Sequence, residues 1–201
     1  MTNYLLSLDT GISTGVSLLS YTQDTVPVLE GAWQFSEGIT GLLRWLRKDY
    51  VSYDLPINPT LEEWTAAIDD PDWAYPVVTV IAEKFTARAT KGFNYRTDSL
   101  ESLRCEGALI ALGLMPDYSP KEKRWRDPSL QYLVGGKGAE AKKRQHRFLK
   151  ESGYYRTGKD FSTPDADDAR SAIAHGLAYL AREGHTPTFG LISDWVERNP
   201  V

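Results

Sequence analysis

Four carboxylates carry most of the chemistry on offer: Asp9 in LSLDTGISTG, Glu83 in VIAEKF, and Asp165 and Asp168 in PDADDARSAIAH. Asp9 and Glu83 each close an apolar stretch. If those stretches are neighbouring parallel strands, both side chains leave the same edge of one sheet. Asp165 and Asp168 stand three apart at the start of an amphipathic segment; three helical residues turn through about 300°, which returns them to one face, while Asp167 points elsewhere. Like charges gathered in this way repel one another and raise some of their pKa values unless a cation sits between them. Oxygen donors with no cysteine or histidine among them select Mg2+ or Mn2+ over zinc. Each acid also has a plainer role open to it. Asp9 suits a turn, Glu83 suits a pair with Lys84 or a nearby arginine, and Asp165, Asp167 and Asp168 suit the positive end of a helix dipole. What sets the group apart is its distribution over three elements that a single sheet edge can bring together.

The elements that must position these acids follow from periodicity. Residues 4–9, 15–21 and 27–35 read as three successive strands in an antiparallel meander. GITGLLRWLRKDYV follows, with Ile39, Leu42, Leu43 and Leu46 at helical spacing. VVTVIAE, residues 77–83, is almost wholly apolar and β-branched, as a strand covered on both faces requires. Leu100, Leu103, Gly107, Ile110 and Leu114 mark a helix capped by Asp98 or Ser99, and a short strand near Met115–Ser119 is expected after it. Ala139–Lys150 reads as a basic helix. Asp165–Arg182 reads as a helix with Ala166, Ala169, Ile173, Leu177 and Leu180 toward the core, and a small helix is expected around Ile192–Val196. Residues 52–76 carry four prolines, six acids and two tryptophans, which reads as an acidic surface insertion with one short helix around Leu61–Ile68.

A chain of 201 residues suits one core with decorations. The single cysteine, Cys105, excludes an intrachain disulfide and fits a buried thiol in a reducing compartment. The apolar start lacks a basic flank and is interrupted at Asp9, unlike a signal peptide. No apolar stretch approaches bilayer length, so the expected location is the cytoplasm with no membrane partner. The net charge of -4 hides an asymmetry. Residues 1–83 hold three Lys and Arg against twelve Asp and Glu, residues 84–150 hold fifteen against seven, and residues 151–201 hold five against eight. A polyanion would be met by the middle segment, unless its cations merely decorate solvated helices.

In their order and separations, LSLDTGISTG, VIAEKF and PDADDARSAIAH resemble the three metal-binding motifs of the RuvC Holliday-junction resolvases, of the ribonuclease H-like superfamily. The resemblance spans most of residues 3–180. It implies an α/β fold with a mixed five-stranded sheet, an antiparallel three-strand meander plus parallel strands, flanked by helices. A nuclease domain would cover residues 1–183, with the insertion at about 52–76 and a C-terminal extension at 184–201. Asp9, Glu83, Asp165 and Asp168 would then be catalytic carboxylates holding two Mg2+ or Mn2+ ions per active site. Two ions about 4 Å apart activate a water on one side of a phosphodiester and stabilise the departing oxygen on the other. The resemblance further implies a homodimer that nicks opposing strands of a four-way DNA junction, leaving 5'-phosphate and 3'-hydroxyl ends, in a bacterial cell or a virus-infected bacterial host.

Two basic stretches suit the same substrate. EKFTARATKGFNYRTDS sets Phe85, Phe93 and Tyr95 among Lys84, Arg88, Lys91 and Arg96, so that rings can stack on unpaired bases while cations hold phosphates. In the resemblance this loop places an aromatic at the crossover, with Phe85 or Phe93 as the candidate; Phe85 also suits the core. VGGKGAEAKKRQHRFLKE resembles the family's glycine-led basic helix, and Lys137, Lys142, Lys143, Arg144 and Arg147 are its expected phosphate contacts. The family's lysine near the scissile phosphate aligns with Ala141 when no gap is allowed, with Lys142 and Lys143 beside it. His146 is expected at the surface, and His175 either near the metal or as a hydrogen-bonded structural residue. The insertion and the tail have no counterpart in the compact family core and suit a further protein contact. Three other readings compete: an RNA–DNA hybrid hydrolase of the same superfamily, a fragment of an actin-like ATPase or sugar kinase that uses DTGISTG as a phosphate loop, and a non-catalytic DNA-binding scaffold. The kinase reading needs a second domain and a second such loop, and the scaffold reading leaves the four acids unexplained.

Overall fold

Strict alternation organises the sheet. Leu5 and Ser7 face one side of the first strand and Leu6 and Leu8 the other, and both sides are covered, so all four are buried. The computed structural model describes residues 2–46, 78–82, 97–111, 130–157, 159 and 166–201. In chain order these form β1 (Asn3–Asp9), β2 (Thr14–Tyr21), β3 (Val28–Phe35), α1 (Gly38–Trp45), β4 (Val78–Ala82), α2 (Thr97–Ala111), α3 (Leu130–Val134), α4 (Ala139–Glu151), α5 (Asp167–Arg182) and α6 (Thr186–Arg198). The strand order is β3-β2-β1-β4. β1–β2 and β2–β3 are antiparallel, whereas β1–β4 is parallel. The architecture is therefore α/β with a mixed sheet, four-stranded among the described residues. The expected strand at 115–119 and the expected helix at 61–68 lie outside them.

One face of the sheet carries Leu6, Leu8, Val16, Leu18 and Val80 against Leu42 and Trp45 of α1 and Cys105 and Leu109 of α2. Trp45 packs on Trp33 and Phe35 of β3, with ring centroids 5.2 and 6.3 Å apart. The other face carries Leu5, Leu19 and Ile81 against α3, α4, α5 and α6. Each fully buried leucine contributes about 1.5–3 kcal/mol. Helix α5 packs closely on β1 and β2, where Gly176 leaves room for Leu19 and Ser7, and Gly15 for the first turn of the helix. The buried serines there are satisfied: Ser7 Oγ donates to the Ala172 carbonyl at 2.5 Å and shares a 2.8 Å hydrogen bond with Ser17 Oγ.

The helices differ in part from the sequence expectations. Helix α2 begins at Thr97, ahead of the Asp98 and Ser99 expected to cap it, and its apolar stripe does not define the buried face. Leu100, Leu103 and Ile110 remain 38, 46 and 45% exposed, while Cys105 and Leu109 are fully buried. Polar bonds set this orientation: Ser102 Oγ donates to the Thr10 carbonyl at 2.6 Å, and Glu101 accepts the Ile39 N–H at 3.2 Å, capping α1. The five-residue α3 was not anticipated, being too short to show a period. The C-terminal helix, Thr186–Arg198, is longer than the small one expected around Ile192–Val196. Ile192 and Trp195 of α6 enter the main core, and the Trp195 indole N–H donates to Glu151 at 2.6 Å. Among the described residues no helix is long and apolar enough to cross a membrane.

Candidate functional site

The site grows from one row across the sheet. Asp9 in β1 pairs with Gly15 in β2, and Gly15 pairs with Gln34 in β3. Residues opposite one another in a sheet share a face. Gln34 Oε1 accepts the Ala169 N–H of α5 at 3.0 Å, and a β-carbon added at Gly15 would overlap the Asp168 carbonyl. Only glycine admits the first turn of α5 at this closeness. The Asp9 side chain therefore stands on the α5 face, at the strand end over which Asp168 begins its helix. Alternation along β1 gives the same answer independently, since Ser7, two residues earlier, bonds Ala172 of α5.

The turn after Asp9 is held from several sides. Thr14 Oγ1 donates to the Gly11 carbonyl at 3.0 Å and accepts the Gly11 N–H at 3.3 Å. Ser102 holds Thr10, as above, and the Gly38 N–H donates to the Ile12 carbonyl at 2.8 Å. On the other flank of β1, Ala82 of β4 lies opposite Leu8, one residue short of Asp9. Glu83 and Asp165 lie outside the described residues. Among the described residues no group of three or more His, Cys, Asp or Glu gathers as a metal site. Of the predicted quartet, Asp9 and Asp168 fall within the described residues, Asp9 paired with Gly15 and the backbone of Asp168 lying against that same glycine. Both are half-buried, and as hard oxygen donors at one strand end they fit a Mg2+ or Mn2+ ion.

Asp167 faces α4 and Arg170. It pairs with Arg170, with Lys142 Nζ at 3.2 Å and with His146 Nε2 at 3.9 Å. The hydrogen bond from Arg170, supported by Lys142, holds its carboxyl below the ordinary aspartate range. Arg170 is itself fixed by the Tyr155 hydroxyl and the Arg156 carbonyl, each at 3.1 Å, with its guanidinium 4.9 Å from the Tyr155 ring centre.

The basic stretch is led by Gly135 and Gly136, whose φ values of 76° and 94° demand glycine. Lys137, Lys142, Lys143 and Arg147 are exposed, with Arg147 paired to Glu151 at 2.7 Å. Arg144 departs from the expectation and turns inward. Its Nε donates to the Val134 carbonyl at 2.8 Å, and its terminal nitrogens donate to the Asn199 and Pro200 carbonyls at 2.6 and 3.4 Å. Its guanidinium stands 5.1 Å from the Trp195 ring centre. This arginine anchors the chain end, which removes it from the phosphate-facing set. His146 is half-buried and stands edge-on to Tyr155, and His175 is buried. Phe85, Arg88, Lys91, Phe93, Tyr95 and Arg96 lie outside the described residues. Sequence reasoning missed Gln34, which nothing local in AWQF distinguishes from a solvent-facing strand residue. Comparison with protein-family models, curated proteins and solved structures finds no match.

Proposed function

We propose that the chain is a metal-dependent, structure-selective DNA endonuclease of the RuvC type, with a ribonuclease H-like fold, acting on four-way and related branched junctions. The observation that supports this reading is that Asp9 pairs with Gly15, against which the backbone of Asp168 lies, with the parallel strand β4 beside β1 and Ala82 opposite Leu8. Asp9, Glu83, Asp165 and Asp168 would hold the divalent ions. When bound, such ions lower the pKa of a water and stabilise charge on the departing oxygen. The chain's own part is to fix those carboxylates and to orient the phosphodiester. Lys142 supports that role, because it pairs with Asp167, the neighbour of Asp168. A phosphate arriving at Asp168 meets a cation already at its margin. Lys137, Lys143 and Arg147 extend the basic face along α4 and supply affinity without sequence preference. Paired nicks at a junction need two such sites, so the acting species is a homodimer.

The test is a synthetic four-way junction incubated with the protein and Mg2+ or Mn2+. Paired nicks with 5'-phosphate and 3'-hydroxyl ends are expected, and Asp9→Asn should bind the junction without cutting it. Lys142→Ala with Lys143→Ala should weaken binding and lower the slope of log affinity against log salt by about 0.9 for each lost phosphate contact. Equal cutting of an RNA–DNA hybrid, with no junction preference, would replace this reading with a hybrid hydrolase. No metal-dependent cutting of any nucleic acid would end it.

A further inference from the structure

Helix α5 starts without a capping side chain of its own. Ala166 occupies the cap position at φ -124° and ψ 16° and makes no side-chain cap bond. The N–H groups of a first turn have no intrahelical partners, and a cap side chain usually accepts the one at the third helical position. In α5 that position is Ala169, and its N–H is taken by Gln34 from β3, 135 positions away in the chain. Gln34 is 6% exposed, and its amide nitrogen donates to Ser13 Oγ at 3.5 Å, in the turn that follows Asp9. One buried amide therefore bonds both the residue after Asp168 and the turn beyond Asp9. Gly15 in the same row limits how closely the first turn of α5 can approach the sheet, and Gln34 limits how far it can withdraw.

We propose that Gln34 is a positioning residue: it holds the first turn of α5 where Asp168 and Asp9 can close together on one divalent cation. This rests on the metal-dependent reading above. The rest of α5 stays docked without Gln34, because Ala172 bonds Ser7 and Ile173 and Leu177 lie in the core. Loss of Gln34 therefore frees the first turn and shifts Asp168 relative to Asp9, while Asp9 stays paired with Gly15 of β2.

The test is calorimetric titration of the full chain with Mn2+, without DNA, beside thermal melting in a chelator. Gln34→Met keeps length and volume but removes the amide acceptor. It should weaken Mn2+ binding about tenfold or more, the scale on which residues supporting metal ligands act, with little change in metal-free melting. Gln34→Glu keeps an acceptor oxygen and should bind Mn2+ at least as well as the wild-type chain. Mn2+ affinity unchanged in Gln34→Met overturns the proposal, and so does equal loss of affinity in both variants. Should Gln34→Met not fold, Gln34→Glu decides alone: retained affinity supports the assignment and lost affinity overturns it. A wild-type chain that binds no Mn2+ overturns the metal-dependent reading itself, and Gln34's role with it.

Discussion

Arg144→Met separates two roles that a basic residue on α4 can have. The substitution keeps an unbranched stem over Trp195 and removes every donor of the guanidinium. Two bonds matter most, those to the Val134 and Asn199 carbonyls at 2.8 and 2.6 Å; the third, to Pro200 at 3.4 Å, is weak. Hydrogen bonds from a charged donor are worth about 1.5–3 kcal/mol each. The Asn199 carbonyl can recover water whereas the Val134 carbonyl is buried, so the lower figure taken for both is a floor, and the two bonds sum to about 3 kcal/mol. For a chain of this size each kcal/mol shifts Tm by about 2–4 °C, so Arg144→Met should melt about 6–12 °C below wild type. Junction binding at a temperature where both are folded should show the same salt dependence in the two proteins. Melting unchanged, with a salt slope shallower by about one phosphate contact, would refute the anchoring role and return Arg144 to the DNA face.

Two further outcomes follow from titration. Asp167 has a depressed folded-state pKa, so the folded chain binds fewer protons than the unfolded chain in the acidic range. The stability it contributes is present above the ordinary aspartate pKa and is lost as pH falls through the folded value. Asp167→Asn should therefore be less stable than wild type near neutrality, by about 1 kcal/mol or less because the carboxyl is 36% exposed and screened, with the gap closing below about pH 4 in urea unfolding. A gap that widens in acid would contradict the ion pairs drawn here. Burial raises the Cys105 thiol to about 11, so an aromatic disulfide reagent at pH 8 should label native protein far more slowly than urea-unfolded protein; equal rates would place the thiol at the surface.

The sheet and most helices were legible because their signals are local. Alternation gave β1, β2 and β3 to within a residue or so, and the periodic residues Ala166, Ala169, Ile173, Leu177 and Leu180 are all buried, although burial on α5 extends beyond that stripe to Ala172, Ala174, Gly176 and Ala178. Where the reading failed, the deciding partner lay far away in the chain. The rotation of α2 is set by Ser102 on Thr10 and Glu101 on Ile39, polar contacts that a hydrophobic stripe does not register. Arg144 turns inward because α6 brings Trp195 and the terminal carbonyls to it, more than fifty residues downstream. Gln34 acquires meaning only when α5 crosses the end of β2. The ends of β1 and α5 were legible for the opposite reason, since Asp9 and Asp168 each sit at the end of an element with a strong local pattern; that the first turn of α5 lies over Gly15, the partner of Asp9, is set by packing that no local pattern registers.

The most direct test of that convergence is an anomalous-scattering map from a crystal of the protein soaked in Mn2+. A manganese peak within about 2 Å of carboxylate oxygens of both Asp9 and Asp168 is expected, the contact distance of a small hard divalent ion. A map with no peak there, or with manganese bound only elsewhere on the chain, would contradict the account.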